Sequence, residues 1–191
     1  MNSPLRVNNV KSQSLSWLIV GLSFVSAIIG LVILARAIAH FTPEPAIVNL
    51  TVAIGALIAA LLAARQKLWH SSATWLILIA VVAIAGLFSS LFFRDDYSGG
   101  SCGEFDWPAG HLHAGYPYSW LDGGICVPPQ TSLSEYAQQH PEQAGWYPDF
   151  PALLVDLLFW VNTGILGSSF LGLVVKLRKQ TRHLAFKKKA A

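Results

Sequence analysis

Cys102 and Cys126 are the two cysteines of this 191-residue chain, and cysteine is its most chemically versatile side chain. Two thiols can form a structural disulfide, cycle between the reduced and oxidised states, or bind a metal as thiolates. Each cysteine follows a Gly-Gly pair at the same offset, Gly99-Gly100 and Gly123-Gly124, which favours close approach of the two chain segments. Which of these three uses is favoured depends on the compartment in which the cysteines lie.

His111 and His113 are a second candidate for chemistry, because alternate residues of an extended segment point to the same face. Two imidazoles on one face suit a Zn or Cu ion, and further ligands are available nearby. These are Cys102, Glu104, Asp106 and Asp122. The spacings that are diagnostic of zinc sites are absent, however. We therefore interpret the histidines as solvated or hydrogen-bonded, and keep a metal site as the alternative.

Known catalytic signatures do not occur in the sequence. We find no G-x-S-x-G, H-E-x-x-H, phosphate-binding loop or dinucleotide fingerprint, so no cofactor is predicted. Tyr116, Tyr118 and Trp120 alternate with Pro117 and Ser119, a pattern typical of a short extended segment with one aromatic face. That face is a candidate surface for binding a partner.

The elements that position these residues are apolar helices. The chain is 53% hydrophobic and 12% charged, about half the charge of an ordinary soluble domain. Its apolar residues fall in runs near the ~20 residues that cross a bilayer as a helix. The runs lack the alternation of barrel strands. We expect an all-α integral membrane protein with four transmembrane helices, at 15–41, 46–64, 72–93 and 151–175.

Charge sets the expected orientation of these helices. Eleven of the 13 Lys and Arg residues lie in 1–14, 65–71 and 176–191, so the positive-inside rule places both termini in the cytoplasm. The net charge of +3 then reflects an unequal distribution of Lys and Arg between the two sides of a membrane, and does not indicate nucleic-acid binding. We expect a multi-pass protein of the plasma (inner) membrane. We interpret its basic tail, 176–191, mainly as fixing this topology, with binding to anionic lipid or a partner as the alternative.

Residues 95–150 form the one long polar segment and are expected outside the cytoplasm. They hold all five tyrosines and three of the seven tryptophans, and disordered segments are poor in aromatic residues. Ser132 and Glu135 have the spacing of a capping box, which predicts a short helix from Leu133 to His140. The rest is expected to be an irregular cap, which a Cys102–Cys126 disulfide stabilises by about 3–4 kcal/mol. The oxidising compartment favours this structural disulfide over thiols that cycle.

The expected topology resembles that of the bacterial quinone-linked disulfide-generating proteins typified by DsbB. The shared features are four helices, two termini in the cytoplasm and a cysteine pair in the second outer loop. The resemblance makes Cys102 and Cys126 the second-loop pair of that family. The family also has a C-x-x-C in the first outer loop, which here is 40–45 and contains no cysteine. The resemblance therefore covers the topology and one cysteine pair, and does not carry the family's activity to this chain.

Arg36 and Asp156 are the ionisable residues that fall well within the expected spans. Both lie about 7–8 Å inside the outer boundary at 1.5 Å per residue, and charges in a span are usually paired. We expect helices 1 and 4 to be neighbours, with Arg36 paired to Asp156. The alternative is that both side chains reach out to the interface.

Taken together, these patterns favour a non-enzymatic membrane subunit whose cap binds a partner. The expected partners are the lipid bilayer and another membrane protein or a second copy of the chain. One alternative is a membrane thiol–disulfide oxidoreductase that uses Cys102 and Cys126. Another is a small transporter or channel subunit that uses Arg36 and Asp156.

Overall fold

The structure is a computed structural model that describes the backbone of residues 5–39, 43–66, 68–69, 72–102 and 107–190. Within these ranges the chain forms five α-helices, four β-strands and one 3-10 turn, Pro141–Gln143. The helices are α1 (Leu5–Ala39), α2 (Glu44–Arg65), α3 (Ser72–Ser90), α4 (Leu133–Gln139) and α5 (Phe150–Ala190). The strands are β1 (Arg94–Cys102), β2 (Trp107–Ala114), β3 (Leu121–Cys126) and β4 (Gly145–Pro148).

Three helical segments are long and apolar enough to cross a membrane. They are Ser16–Ala39 of α1, Glu44–Arg65 of α2 and Phe150–Thr181 of α5. A shorter apolar helix is described over Thr74–Ser90 of α3. The helical, membrane-type character expected from the sequence is therefore present, and the fourth span stays a prediction.

Local sequence explains where the helices α2 and α5 begin. Pro43 is the N-cap of α2, and Pro45 lies in its first turn, where a missing N–H breaks no intrahelical bond. Asp149 precedes α5, and its carboxylate oxygen accepts a hydrogen bond from the backbone N–H of Ala152 at 3.1 Å. This is the usual way in which an N-cap carboxylate satisfies an N–H of the first turn.

The chain divides into two compact units. The first comprises residues 1–83 and 159–191, and its helices pack through small residues. Ala56, Ala60 and Ala63 of α2 are fully buried, and a Cβ on Gly164 of α5 would lie 3.0 Å from the carbonyl oxygen of Ile79. Such close backbone approach is typical of helix packing in membranes.

The second unit, 84–158, contains a four-stranded antiparallel sheet with the order β1-β2-β3-β4. The expectation of an all-α protein with an irregular cap is therefore wrong. The strands were missed because β1 and β3 contain Gly-Gly pairs, and glycine has a low preference for strands. We call this four-stranded sheet together with α4 the cap.

One face of the sheet is covered by a small hydrophobic core. Leu112, Ile125 and Val127 are buried there, together with Ala137 of α4. The predicted short helix is confirmed as α4, and Ser132 is its N-cap. The capping box is wrong in detail, since the Ser132 side chain makes no capping bond and lies 3.1 Å from the hydroxyl of Ser134.

Candidate functional site: the cap and its junction with α3 and α5

A disulfide joins Cys102 and Cys126, as the sequence predicts, with the two Cα atoms 5.9 Å apart. Cys102 ends β1 and Cys126 ends β3, and both of these strands pair with β2. The disulfide therefore links β1 and β3, the two strands on either side of β2. The two cysteines have a sequence separation of 24. The disulfide therefore restricts a large part of the cap in the unfolded chain.

The loop between β2 and β3, residues 115–120, is held by a carboxylate from α5. Asp156 is fully buried. Its two oxygens accept hydrogen bonds from the backbone N–H groups of Tyr116 and Tyr118, each at 3.0 Å. Hydrogen bonds to a charged acceptor are stronger than neutral ones. Asp156 thus fixes this loop, which we call the junction loop, to the first turns of α5.

Further bonds connect the junction loop to the end of α3. The indole N–H of Trp120 donates to the hydroxyl of Ser90 at 3.2 Å. The backbone N–H of Gly115 donates to the carbonyl of Phe93 at 3.2 Å, and the ring of Tyr116 lies 5.2 Å from that of Phe93. The loop is therefore bonded to both helices that enter the cap.

Gly115 is a position in the junction loop that requires glycine. Its φ is +136°, and an added Cβ would lie 2.5 Å from the carbonyl oxygen of Tyr118. A side chain there would force the backbone of the loop to move. The tight conformation of the loop therefore depends on this residue as well as on Asp156.

The aromatic residues predicted to bind a partner have structural contacts instead of one shared exposed face. Tyr116, Tyr118 and Trp120 are all half-buried, and the segment forms bends and no strand, so the extended segment is wrong. The hydroxyl of Tyr118 is buried without a hydrogen-bond partner among the described residues. Burial raises the pKa of Tyr118 above its ordinary value of 10.0, and the nearby charge of Asp156 raises it further. Partner binding by these three residues stays a prediction.

The second face of the sheet carries a row of polar side chains. Asp95, His113, Asp122 and Tyr147 occupy directly paired positions on β1, β2, β3 and β4, and paired side chains lie on the same face. His113 Nδ1 and the Asp122 carboxylate are 2.6 Å apart, and the Ser119 hydroxyl donates to the same carboxylate oxygen at 3.3 Å. We call this surface the polar face of the cap.

The predicted metal ligands lie on this polar face. His111 and His113 share it, as the alternation predicts, and His113 is bound to Asp122. Across the described part of the chain, no group of three or more His, Cys, Asp or Glu side chains is arranged to hold a metal ion. Of the four further ligands that the sequence offers, Cys102 is in the disulfide and Asp122 is bonded to His113. The other two, Glu104 and Asp106, lie outside the described residues. The metal site stays a prediction.

The predicted Arg36–Asp156 pair is divided between the two units. Arg36 of α1 is exposed, whereas the Asp156 carboxylate is occupied by two backbone amides of the junction loop. The pairing itself stays a prediction. Sequence reasoning identified Asp156 as important but missed its partner, because backbone N–H groups leave no residue-type signal. The useful signal was its position, five residues after Pro151, close to an aromatic loop.

Comparison with protein-family models, with curated proteins and with solved structures finds no significant match to this chain.

Proposed function

We propose that this chain is a four-span membrane protein whose cap binds another membrane protein through its polar face. The observation that carries the proposal is the difference between the two faces of the sheet. One face is covered by α4 and the hydrophobic core, whereas the other presents the row of Asp95, His113, Asp122 and Tyr147. Tyr147 is 60% exposed within this polar row. An exposed tyrosine among polar groups is typical of residues that anchor protein interfaces.

The rigidity of the cap supports a binding role. The disulfide, Gly115 and the two hydrogen bonds to Asp156 hold its strands and its junction loop in one arrangement. A preorganised surface loses less conformational entropy when it binds, which leaves more of the contact energy as affinity.

The proposed topology has α3 as the fourth span and both termini in the cytoplasm. With 19 residues, α3 is about 28 Å long, close to the ~30 Å of a bilayer core. The supporting charges are the 11 of 13 Lys and Arg residues in segments assigned to the cytoplasm. In this topology the cap is on the oxidising side of a plasma membrane, where its disulfide persists.

Photo-crosslinking tests the binding surface directly. A benzoylphenylalanine placed at Tyr147 should form one discrete, reproducible adduct in cells. The matched control is Gln138, an exposed residue of α4 on the covered side of the sheet, which should form none. A partner identified from the Tyr147 adduct should then bind the purified protein, and Asp122→Lys should weaken that binding. Equal crosslinking from both positions, or none from Tyr147, would contradict the proposal.

The cysteine pair supplies the observation that would favour an oxidoreductase instead. We expect the Cys102–Cys126 disulfide to resist reduction in a dithiothreitol series followed by thiol alkylation, as structural disulfides do. A pair that is readily reduced and then reoxidised by a quinone would overturn the non-enzymatic role. It would leave the proposed topology unchanged.

A further inference from the structure

We propose that a groove beside the end of α3 binds a phospholipid whose headgroup carries both a phosphate and a primary amine. Phe88, Leu91, Phe92 and Arg94 line the groove, which has a volume of about 610 Å³. The proposal rests on the four-span topology above, in which this end of α3 reaches the outer leaflet. It concerns a ligand site that is distinct from the polar face of the cap.

The walls of the groove suit an acyl chain. Phe88 is 65% exposed and Phe92 is 88% exposed, at the point where an apolar helix ends. Such exposure is costly in water. At the boundary of a bilayer the same rings contact lipid, and aromatic residues are enriched there. The groove therefore offers apolar contact to the upper part of a lipid tail.

Arg94 provides a site for the phosphate at the end of the apolar wall. Its guanidinium lies 5.5 Å from the centre of the Trp146 ring, a cation–π contact that restrains the side chain. The charge still needs an anionic partner, because Arg94 forms no ion pair within the described residues. Guanidinium groups bind phosphate oxygens through paired N–H donors. A cation on the outer side also runs against the positive-inside rule, so its position calls for a specific role.

Asp96 provides an acceptor for the amine. It lies two residues beyond Arg94 on β1, so the two side chains share one face of the strand. One carboxylate oxygen of Asp96 is buried and lacks a hydrogen-bond partner among the described residues. Leaving a buried acceptor unpaired is unfavourable. An ammonium group bound next to the phosphate would supply the missing donor.

The charge of the cap argues against a lipid with a net negative headgroup. Residues 94–150 contain eight of the chain's ten acidic residues, and Arg94 is their one Lys or Arg. This field repels a headgroup with net negative charge, such as phosphatidylglycerol. Phosphatidylethanolamine is zwitterionic and places its positive end toward the carboxylates. It also offers N–H donors, which the trimethylammonium group of phosphatidylcholine lacks.

Native mass spectrometry of the full-length protein in detergent tests the site. Phosphatidylethanolamine, phosphatidylglycerol and phosphatidylcholine are titrated separately, and bound lipid is counted per protein. We expect phosphatidylethanolamine to bind most tightly, and Arg94→Gln to weaken it about tenfold, which is about 1.4 kcal/mol. Arg94→Lys should recover part of this loss, because it keeps the charge but not the paired donors. Asp96→Asn should remove the preference for phosphatidylethanolamine over phosphatidylcholine.

Two further variants keep the test decisive. Phe92→Ala removes an exposed ring that the fold does not need, and it should weaken binding of all three lipids. Arg65→Gln is the matched control, since Arg65 is an exposed arginine at the end of α2 and is not among the residues that line this groove. It should leave phosphatidylethanolamine binding unchanged.

Several results would overturn the lipid site. They are equal binding of the three lipids, tighter binding of phosphatidylglycerol, or wild-type binding by both Arg94→Gln and Phe92→Ala. Labelling of a cysteine introduced at Gln138 by a membrane-impermeant reagent in intact cells locates the cap independently. If that cysteine is labelled and the lipid results are negative, the lipid site fails and the proposed topology stands. If it is protected until the cells are lysed, the topology fails with it.

Discussion

Each of the two units of this protein is stabilised internally by a different kind of contact. The unit of residues 1–83 and 159–191 packs alanine and glycine against neighbouring helices, with Ala56 and Ala60 fully buried. The cap packs larger side chains, such as Leu112 and Ile125, beneath a sheet. The cap also has a disulfide, and its junction loop is bonded through backbone amides to a buried carboxylate of α5.

The proposed topology explains this difference, because it places the first unit in lipid and the cap in water. In lipid, burying a large apolar side chain gains little, so helices associate through close van der Waals contact and a few polar bonds. The 2.6 Å hydrogen bond from the Asn162 amide to the Ser26 hydroxyl is one of these. In water, a small domain gains from every apolar group that it buries but is often too small to be stable. The cap therefore needs its additional covalent and charged connections.

The largest effect is expected from Asp156→Ala, which leaves the backbone N–H groups of Tyr116 and Tyr118 without their acceptor. Hydrogen bonds to a charged group contribute about 1.5–3 kcal/mol each, so the loss of two should cost the cap roughly 3–6 kcal/mol of stability. Thermal unfolding in detergent, followed by tryptophan fluorescence and by proteolysis within 94–148, measures the loss.

Asp149→Asn is the control for this prediction, because asparagine is as good an N-cap as aspartate. It should change the melting temperature little. If Asp156→Ala melts like the wild-type protein and resists protease equally, the junction loop does not depend on α5. The contrast between the two units would then be much weaker.

An intermediate effect is expected from Gly164→Ala in the helical unit. Its new Cβ would lie 3.0 Å from the carbonyl oxygen of Ile79, and backbone cannot move aside as a side chain can. Overpacking of this kind costs about 1–3 kcal/mol. Gly167→Ala is the matched control, since nothing lies within 4 Å of its Cβ position. Equal melting temperatures for the two variants in detergent would contradict close backbone packing as the basis of this unit.

The smallest effect is expected from Tyr118→Phe, which should show only at alkaline pH. Burial and the charge of Asp156 raise the pKa of Tyr118 above 10.0 in the folded protein. Above pH 10 the unfolded chain releases this proton while the folded cap retains it, so the free energy of unfolding falls as pH rises. Below that range the phenol is protonated in both states and has no such effect.

Phenylalanine removes this titration, so Tyr118→Phe should stay folded to a higher pH than the wild-type protein. At neutral pH its stability should be equal or slightly greater, because the hydroxyl has no partner to lose. Parallel alkaline titrations followed by circular dichroism measure both expectations. A loss of stability at neutral pH would mean that the Tyr118 hydroxyl has a bonding partner in solution.

Features that depend on residue type, such as the helices and the disulfide, could be predicted from the sequence. The sheet, which depends on backbone pairing, could not. Apolar runs located the helices, and the two cysteines, in a segment expected on the oxidising side, predicted the disulfide. The sheet was missed because the stretches RDDYSGGSC and LDGGIC lack the alternating apolar residues that identify strands. Both stretches form strands because they pair with β2, and this pairing joins residues that are well separated in the sequence.

The junction loop illustrates the same limit at the site. The sequence predicts Asp156 as a charge within a membrane span, with Arg36 as its partner. Its actual ligands are two amide groups that any residue except proline can provide. The need for glycine at position 115 arises from a carbonyl three residues along the chain, and from the φ of +136°. Neither feature can be read from residue types without the fold.

The anchoring of the junction loop by Asp156 has a consequence for how the protein is made. A ribosome completes the sheet strands and the junction loop, residues 94–148, before it reaches Asp156. Until α5 has been synthesised, the amides of Tyr116 and Tyr118 lack the acceptor that Asp156 provides, and the junction loop cannot reach its final form. A chain that is truncated before α5 would therefore carry a junction loop without its anchor. The final form of the cap therefore depends on the synthesis of α5.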